Sequence, residues 1–336
     1  MKDTGINKGR RPALILLLVF GGMLAAGGRF ILPDSSVGEV PGAARGAGGR
    51  SIHDSPKGYS LEGRSPAGGA QKPRAESLQP AHLSNFVSPQ ELRHYLSLKS
   101  QAPRLFKPLR EGVIPHHLLA GRLIADFMAA LEPQQPELII LVGPNHYNNG
   151  SKIITGYANW QTPEGTVETK EEVVRALVEK GAAVLDEDTL AHEHSIGVVL
   201  PFLRHYLPQA KVASLILHHG VTLAEADGLL DVLEPFLQEG AVLVASVDFS
   251  HYLIRSQAEE MDHTTLQVIR RFDYETLFHL NSDYLDSPAS IALILRAAQR
   301  RDRQDFTVFA HTNSGEILKN DSIETTSYFT GGFLEK

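Results

Sequence analysis

Glu137-Leu138-Ile139-Ile140-Leu141-Val142-Gly143-Pro144-Asn145-His146 is the stretch that decides the fold. Residues 138–142 are apolar without interruption, whereas a strand buried on one face would alternate apolar with polar. An unbroken run of this length, placed after a helical pattern and before a turn, marks a strand covered on both faces, as in a parallel sheet. The preceding helical pattern spans 118–131. Working outward, strands are expected at 112–115, 211–217, 241–246, 306–310 and 325–333. Helices are expected at 171–180, 195–206, 223–237, 256–272 and 287–299. The segment 151–168, with turns at Asn148-Asn149-Gly150 and Thr162-Pro163-Glu164-Gly165, reads as a hairpin excursion. Such alternation predicts one α/β domain, with a mostly parallel central sheet flanked by helices.

The folded domain is expected over 86–336. Ser88-Pro89-Gln90-Glu91 supplies an N-cap, a proline at N1 and a glutamate at N3 of its first helix. Residues 33–85, rich in Gly, Pro, Ser, Ala and Arg, read as a flexible tether. Residues 1–32 carry Lys2, Lys8, Arg10 and Arg11 before an apolar run, the pattern of a signal anchor or a cleaved signal peptide. As an anchor it makes the protein a single-pass cell-membrane protein with its domain outside the cytoplasm. After cleavage the domain would be secreted or periplasmic.

Composition narrows the chemistry. The chain has 336 residues, 42% of them hydrophobic and 21% charged, which describes a globular protein able to bury a core. Cysteine is absent, which excludes disulfides, thiolate metal ligands and thiol nucleophiles. A net charge of −7 gives no electrostatic reason to expect a nucleic-acid partner. Fifteen histidines are many for this length.

Several of those histidines stand where expected strands end. Pro115-His116-His117 follows the first strand, Pro144-Asn145-His146 the second, and Val247-Asp248-Phe249-Ser250-His251 the strand at 241–246. His192-Glu193-His194-Ser195 precedes a helix. Ligands of open α/β sheets sit beyond the carboxyl ends of the strands. Imidazoles and a carboxylate arriving at one such rim suit a divalent metal such as iron, zinc or copper. His192-Glu193-His194 lacks the spacing of a helical zinc-protease site, and no Gly-x-Ser-x-Gly elbow is present. His218-His219-Gly220 reads as an exposed turn.

Six ordered motifs resemble the MEMO family, also called AmmeMemoRadiSam system protein B in prokaryotes. They are Pro115-His116, Gly143-Pro144-Asn145-His146, Thr162-Pro163-Glu164-Gly165, Glu193-His194-Ser195-Ile196, Ser246-Val247-Asp248-Phe249-Ser250-His251 and His311-Thr312-Asn313-Ser314-Gly315. The resemblance covers about 112–333. It implies a single α/β domain similar to class III extradiol dioxygenases, which open catechol rings with non-haem iron. It also implies a metal held by two histidines and a third ligand.

Transferred by motif, the first ligand is His116, with His117 as an alternative, and the second is His146. His194 and His251 would line the pocket, and Asp248 would orient or polarise a neighbour. The family often has Cys-Gly before a Pro-Ile that enters a late helix, whereas this chain has Asp286-Ser287-Pro288-Ala289-Ser290-Ile291. Asp286 falls in the cysteine's place and would complete a two-histidine-one-carboxylate set; it is equally a residue suited to cap the helix. The expected function is a metal-dependent redox or dioxygenase-like protein with Fe(II) on His116, His146 and Asp286, and His251 as general acid or base. The rivals are a non-catalytic metal- or peptide-binding protein of the cell envelope, and zinc-assisted hydrolysis.

Overall fold

In the computed structural model, which describes residues 81–84 and 86–336, the apolar run becomes a strand, Leu138–Pro144, with all seven residues buried. The described strands are β1 (Ala81–Leu83), β2 (Leu109–Ile114), β3 (Leu138–Pro144), β4 (Ile153–Thr155), β5 (Asn159–Thr162), β6 (Gly165–Val167), β7 (Val184–Leu185), β8 (Lys211–Leu217), β9 (Val242–Ser246), β10 (Phe249–Leu253), β11 (Thr307–Asn313) and β12 (Thr325–Leu334). The main sheet runs β10-β12-β2-β9-β3-β8-β4-β7, with β11 also paired to β12. A small sheet, β1-β5-β6, stands beside it.

Successive side chains of β3 point to opposite faces, and both faces are covered. Ile140 and Val142 join one core with Leu229, Leu233 and Leu293, from the helices Leu223–Gln238 and Pro288–Arg300. Ile139 and Leu141 join the other with Ile124, Phe127 and Phe202, from the helices Gly121–Leu131 and Leu200–Tyr206. Each such side chain contributes about 1.5–3 kcal/mol on burial. That is why a polar residue has no place along this strand until Asn145.

The structure is the expected single α/β domain, but the sheet is mixed rather than mostly parallel. The centre β2-β9-β3-β8 is parallel, while β4 on β8, and β12 on β2, β10 and β11, are antiparallel. Connection length accounts for the β11–β12 pair, because a parallel crossover needs roughly a dozen residues or more. The long helical connections between the central strands meet that need; the short connection from β11 to β12, with one small helix, does not.

The first helix forms at Pro89–Ser97 with the expected capping box between Ser88 and Glu91. The helix expected over 195–206 is two, His194–Gly197 and Leu200–Tyr206, with Pro201 in the first turn of the second. The tract 249–253, for which no strand was expected, is β10; its pairing with β12 is bulged, and Tyr252 has φ of 60°. Strand β1 lies within the span expected as a tether and pairs in parallel with β5. The rest of that tether, apart from Ser84, and the whole segment 1–32 lie outside the described residues.

The expected membrane placement is corrected. No helix among the described residues is long and apolar enough to cross a membrane. The transmembrane reading and the location outside the cytoplasm drawn from it are therefore set aside.

Candidate metal centre

The carboxyl ends of β2, β3 and β9 are neighbours in the sheet, and each delivers one part of the site. His116 lies two residues beyond β2, His146 two beyond β3, and Asp248 two beyond β9. Helix Pro288–Arg300 packs on β2 and β9 and carries Asp286 just ahead of its first turn. The helix His194–Gly197 comes close to β3 at Gly143, where an added Cβ would stand 2.6 Å from Ser195 Oγ. Glycine is required there so that His194 can reach His146.

His116 is 1% exposed. Its backbone N–H donates to Asp248 Oδ1 at 3.0 Å, and its Nδ1 lies 3.2 Å from Ser246 Oγ. The Ser246 hydroxyl gives its own proton to the Ser195 carbonyl, so it has only lone pairs left for that imidazole. His116 Nε2 then faces Asp286 Oδ2 at 3.2 Å and Asp248 Oδ2 at 3.7 Å. His146 Nε2 lies 3.8 Å from the same Asp286 oxygen. Buried Glu193 accepts from His146 Nδ1 at 2.7 Å and from the His146 backbone N–H at 2.9 Å. The His194 ring stacks on His146 with centroids 4.1 Å apart, and stands 5.3 Å from His116.

Among the described residues two overlapping groups have donor atoms close enough to hold a metal ion: His116, His146 and His194, and His116, Asp248 and Asp286. The residues fit such an ion. Asp286 Oδ1 is buried without a hydrogen-bond partner among the described residues, the condition of a carboxylate oxygen that awaits a cation. Asp286 is also not the helix cap, since Ser287 fills that position and accepts from Ser290 N.

The electrostatics follow the placement. Burial alone would push the His116 pKa down, but the carboxylates of Asp248 and Asp286 outweigh it and hold the group up at about 9. Burial, together with the neighbouring imidazoles of His146 and His116, takes His194 down to about 4. For Glu193 burial acts upward, yet its bonds from His146 and the Ser195 N–H bring it down to about 2. Burial, then Asp248, raises the Tyr328 phenol.

Of the site residues expected from sequence, His116, His146, Asp286, His194 and Asp248 come together. His251 falls outside both groups among the described residues; it is half-buried, and its Nδ1 donates to the Ser282 carbonyl at 3.2 Å. His117, the alternative ligand, turns away and pairs through Nδ1 with the Tyr328 hydroxyl. Sequence reading assigned no role to Glu193 or Ser246. Both were already inside quoted motifs, and only their partners across the sheet reveal what they do.

An α/β domain with imidazoles and carboxylates gathered beyond its central strands presents, at the sheet rim, a cluster that could hold a metal ion. The comparison with family models is specific: the model described as Memo-like protein matches residues 85–331, and the chain belongs to that family. It is 29% identical over 260 residues to a MEMO1 family protein of Methanosarcina acetivorans, covering 72% of this chain and 94% of that one. A MEMO1 family protein of Pyrobaculum aerophilum is 27% identical over 237 residues, covering 67% and 84%. Another, of Methanopyrus kandleri, is 30% identical over 218 residues, covering 61% and 76%.

Proposed function

We propose that the protein is a metal-dependent redox enzyme of dioxygenase type, with iron(II) held by His116, His146 and Asp286. The observation that carries this reading is Asp286, with one oxygen 3.2 and 3.8 Å from the Nε2 atoms of two imidazoles and the other buried without a partner. His116, His146 and Asp286 would hold the iron by one face, and the two-histidine-one-carboxylate set would leave open positions for a diol-bearing substrate and oxygen chemistry. A carboxylate in place of a thiolate favours iron or manganese over soft Cu(I).

The remaining residues have their own tasks. Asp248 holds the His116 backbone through its N–H and so fixes the end of β2 against β9. His194, stacked on His146 and 5.3 Å from His116, is the imidazole placed to accept a proton from a substrate hydroxyl beside the ligands. That base role therefore moves to His194 from His251, whose ring nitrogen is turned to a backbone carbonyl.

The test is the metal content of protein purified without added metal, then oxygen uptake with catechols after anaerobic iron loading. Bound iron and uptake are expected, with Asp286→Ala losing at least half of the metal. Unchanged stoichiometry in Asp286→Ala sinks the ligand assignment. Metal without turnover, or zinc with ester or amide cleavage, sinks the dioxygenase chemistry.

A further inference from the structure

Glu193 is 1% exposed, and its carboxylate is the most heavily engaged group around the site. Oε1 accepts from the Ser195 N–H at 3.0 Å and from His146 Nδ1 at 2.7 Å, and Oε2 accepts from the His146 N–H at 2.9 Å. The two backbone donors come from different parts of the fold, the loop after β3 and the start of the helix His194–Gly197, so the carboxylate is pinned before any imidazole reaches it. Oε1 is also 3.3 Å from His194 Nδ1. One oxygen thus faces the Nδ1 atoms of two imidazoles, whose rings lie 4.1 Å apart and 26° from parallel.

We propose that Glu193 is a positioning residue that fixes His146 as its Nδ1–H tautomer, turns Nε2 toward Asp286, and aligns His194 beside it in the same orientation. A carboxylate on Nδ1 leaves the Nε2 lone pair as the only metal-ligating atom of a neutral His146, and it raises the basicity of that ligand. The shorter contact selects His146 as the ligand. The longer one leaves His194 alongside it as the unprotonated neighbour. Ser246 does the same service for His116 with a neutral oxygen, so the two ligand imidazoles differ in the charge behind them. That asymmetry makes His146 the stronger donor of the pair.

Glu193 tunes a metal only if the cluster holds one, as proposed above, so the experiment has one arm without metal. Long-range nitrogen–proton NMR of the metal-free protein, at a pH where the ring is neutral, should show His146 as the Nδ1–H tautomer. An Nε2–H signature in the native protein overturns the assignment whether or not any variant folds, and whether or not metal binds. In the second arm, cobalt(II) titration of Glu193→Gln should show affinity weakened about 10–100-fold with an altered visible spectrum, as loss of an outer carboxylate does at other sites. Glu193→Asp should recover part of the affinity. Equal cobalt affinity and spectrum in native protein and Glu193→Gln overturns the positioning role. Failure of the native protein to bind cobalt, iron or zinc overturns the metal reading alone, and the tautomer still decides for Glu193.

Discussion

The two ends of β2 carry buried charges of opposite design. Near its start, Glu111 is 1% exposed and is met by Arg303, whose Nε donates to Oε2 at 2.9 Å while Nη2 donates to Oε1. Beyond its end, His116 is met by Asp286. Both partners flank the same helix, Pro288–Arg300, Asp286 just before it and Arg303 just after it. At the Arg303 end both carboxylate oxygens are used, in the forked geometry that guanidinium and carboxylate share. At the Asp286 end one oxygen is left without a hydrogen-bond partner, and one acid faces two imidazoles. A saturated pair fastens the helix to the sheet; an unsaturated one leaves coordination capacity at the rim.

The comparison breaks most visibly at the fastened end. Arg303→Ala leaves Glu111 buried without its hydrogen-bonded partner, with only Arg301 and Arg110 acting on it from farther off, which should cost about 3–5 kcal/mol of unfolding free energy. Metal affinity should stay unchanged in the variant under conditions where it remains folded. Chemical denaturation with a parallel metal titration measures both. A loss under about 1 kcal/mol would show that the Glu111 pair is not a fastening at all.

Of this contrast only the site end was legible in the sequence; the Glu111–Arg303 pair joins residues 192 apart and left no mark there. The apolar run at 138–142 admits one reading because both of its faces are buried, and His116 and His146 followed from their places after strands. Asp286 was ambiguous, since a residue ahead of Ser287-Pro288 suits a cap as well as a ligand; only coordinates separate the two. Glu193 was hidden because its partner His146 is 47 residues away in sequence, and side-chain bonds across a sheet have no period to read. His251 was expected to line the pocket, but its Nδ1 donates to the Ser282 carbonyl and it joins neither donor group among the described residues. The antiparallel pairing of β4 and β12 was missed because an apolar strand carries no mark of its direction.

The site end should also respond to pH through its imidazoles, whereas at the fastened end the guanidinium stays protonated and the only titrating member of the pair is Glu111, raised by burial. In the metal-free protein His116 is raised from 6.5 to about 9, so the native state binds more protons than the unfolded state between those values. Its contribution is full below pH 6.5 and is lost as pH rises through about 9, on the order of 3 kcal/mol. His194 has the opposite sign: lowered to about 4, its contribution is full above pH 6.5 and is lost as pH falls through about 4. Melting temperatures of metal-free protein across pH 5–9.5 should therefore fall on both sides of about 6.5. Asp286→Asn should flatten the alkaline limb, since Asp286 is one of the two carboxylates that hold the proton on His116. An alkaline limb of equal slope in both proteins would remove His116 as its cause.

The smallest effect separates two adjacent residues at the site end itself. Ser287 caps the helix Pro288–Arg300 through Ser290 N and shares a 2.7 Å hydroxyl contact with Ser290, while Asp286 reaches the imidazoles. Ser287→Ala should cost about 1 kcal/mol, the ordinary value of a lost N-cap. It should leave metal stoichiometry and affinity as they were, because the Asp286 backbone is held separately by its N–H to the Asp248 carbonyl at 3.1 Å. Asp286→Asn should do the reverse, with little loss of stability below pH 6.5 beyond the His116 contribution and a clear loss of metal. If Ser287→Ala weakened the metal as strongly as Asp286→Asn, the helix cap and the ligand would be one device rather than two. The helix would then be anchored through its metal end as much as through Arg303.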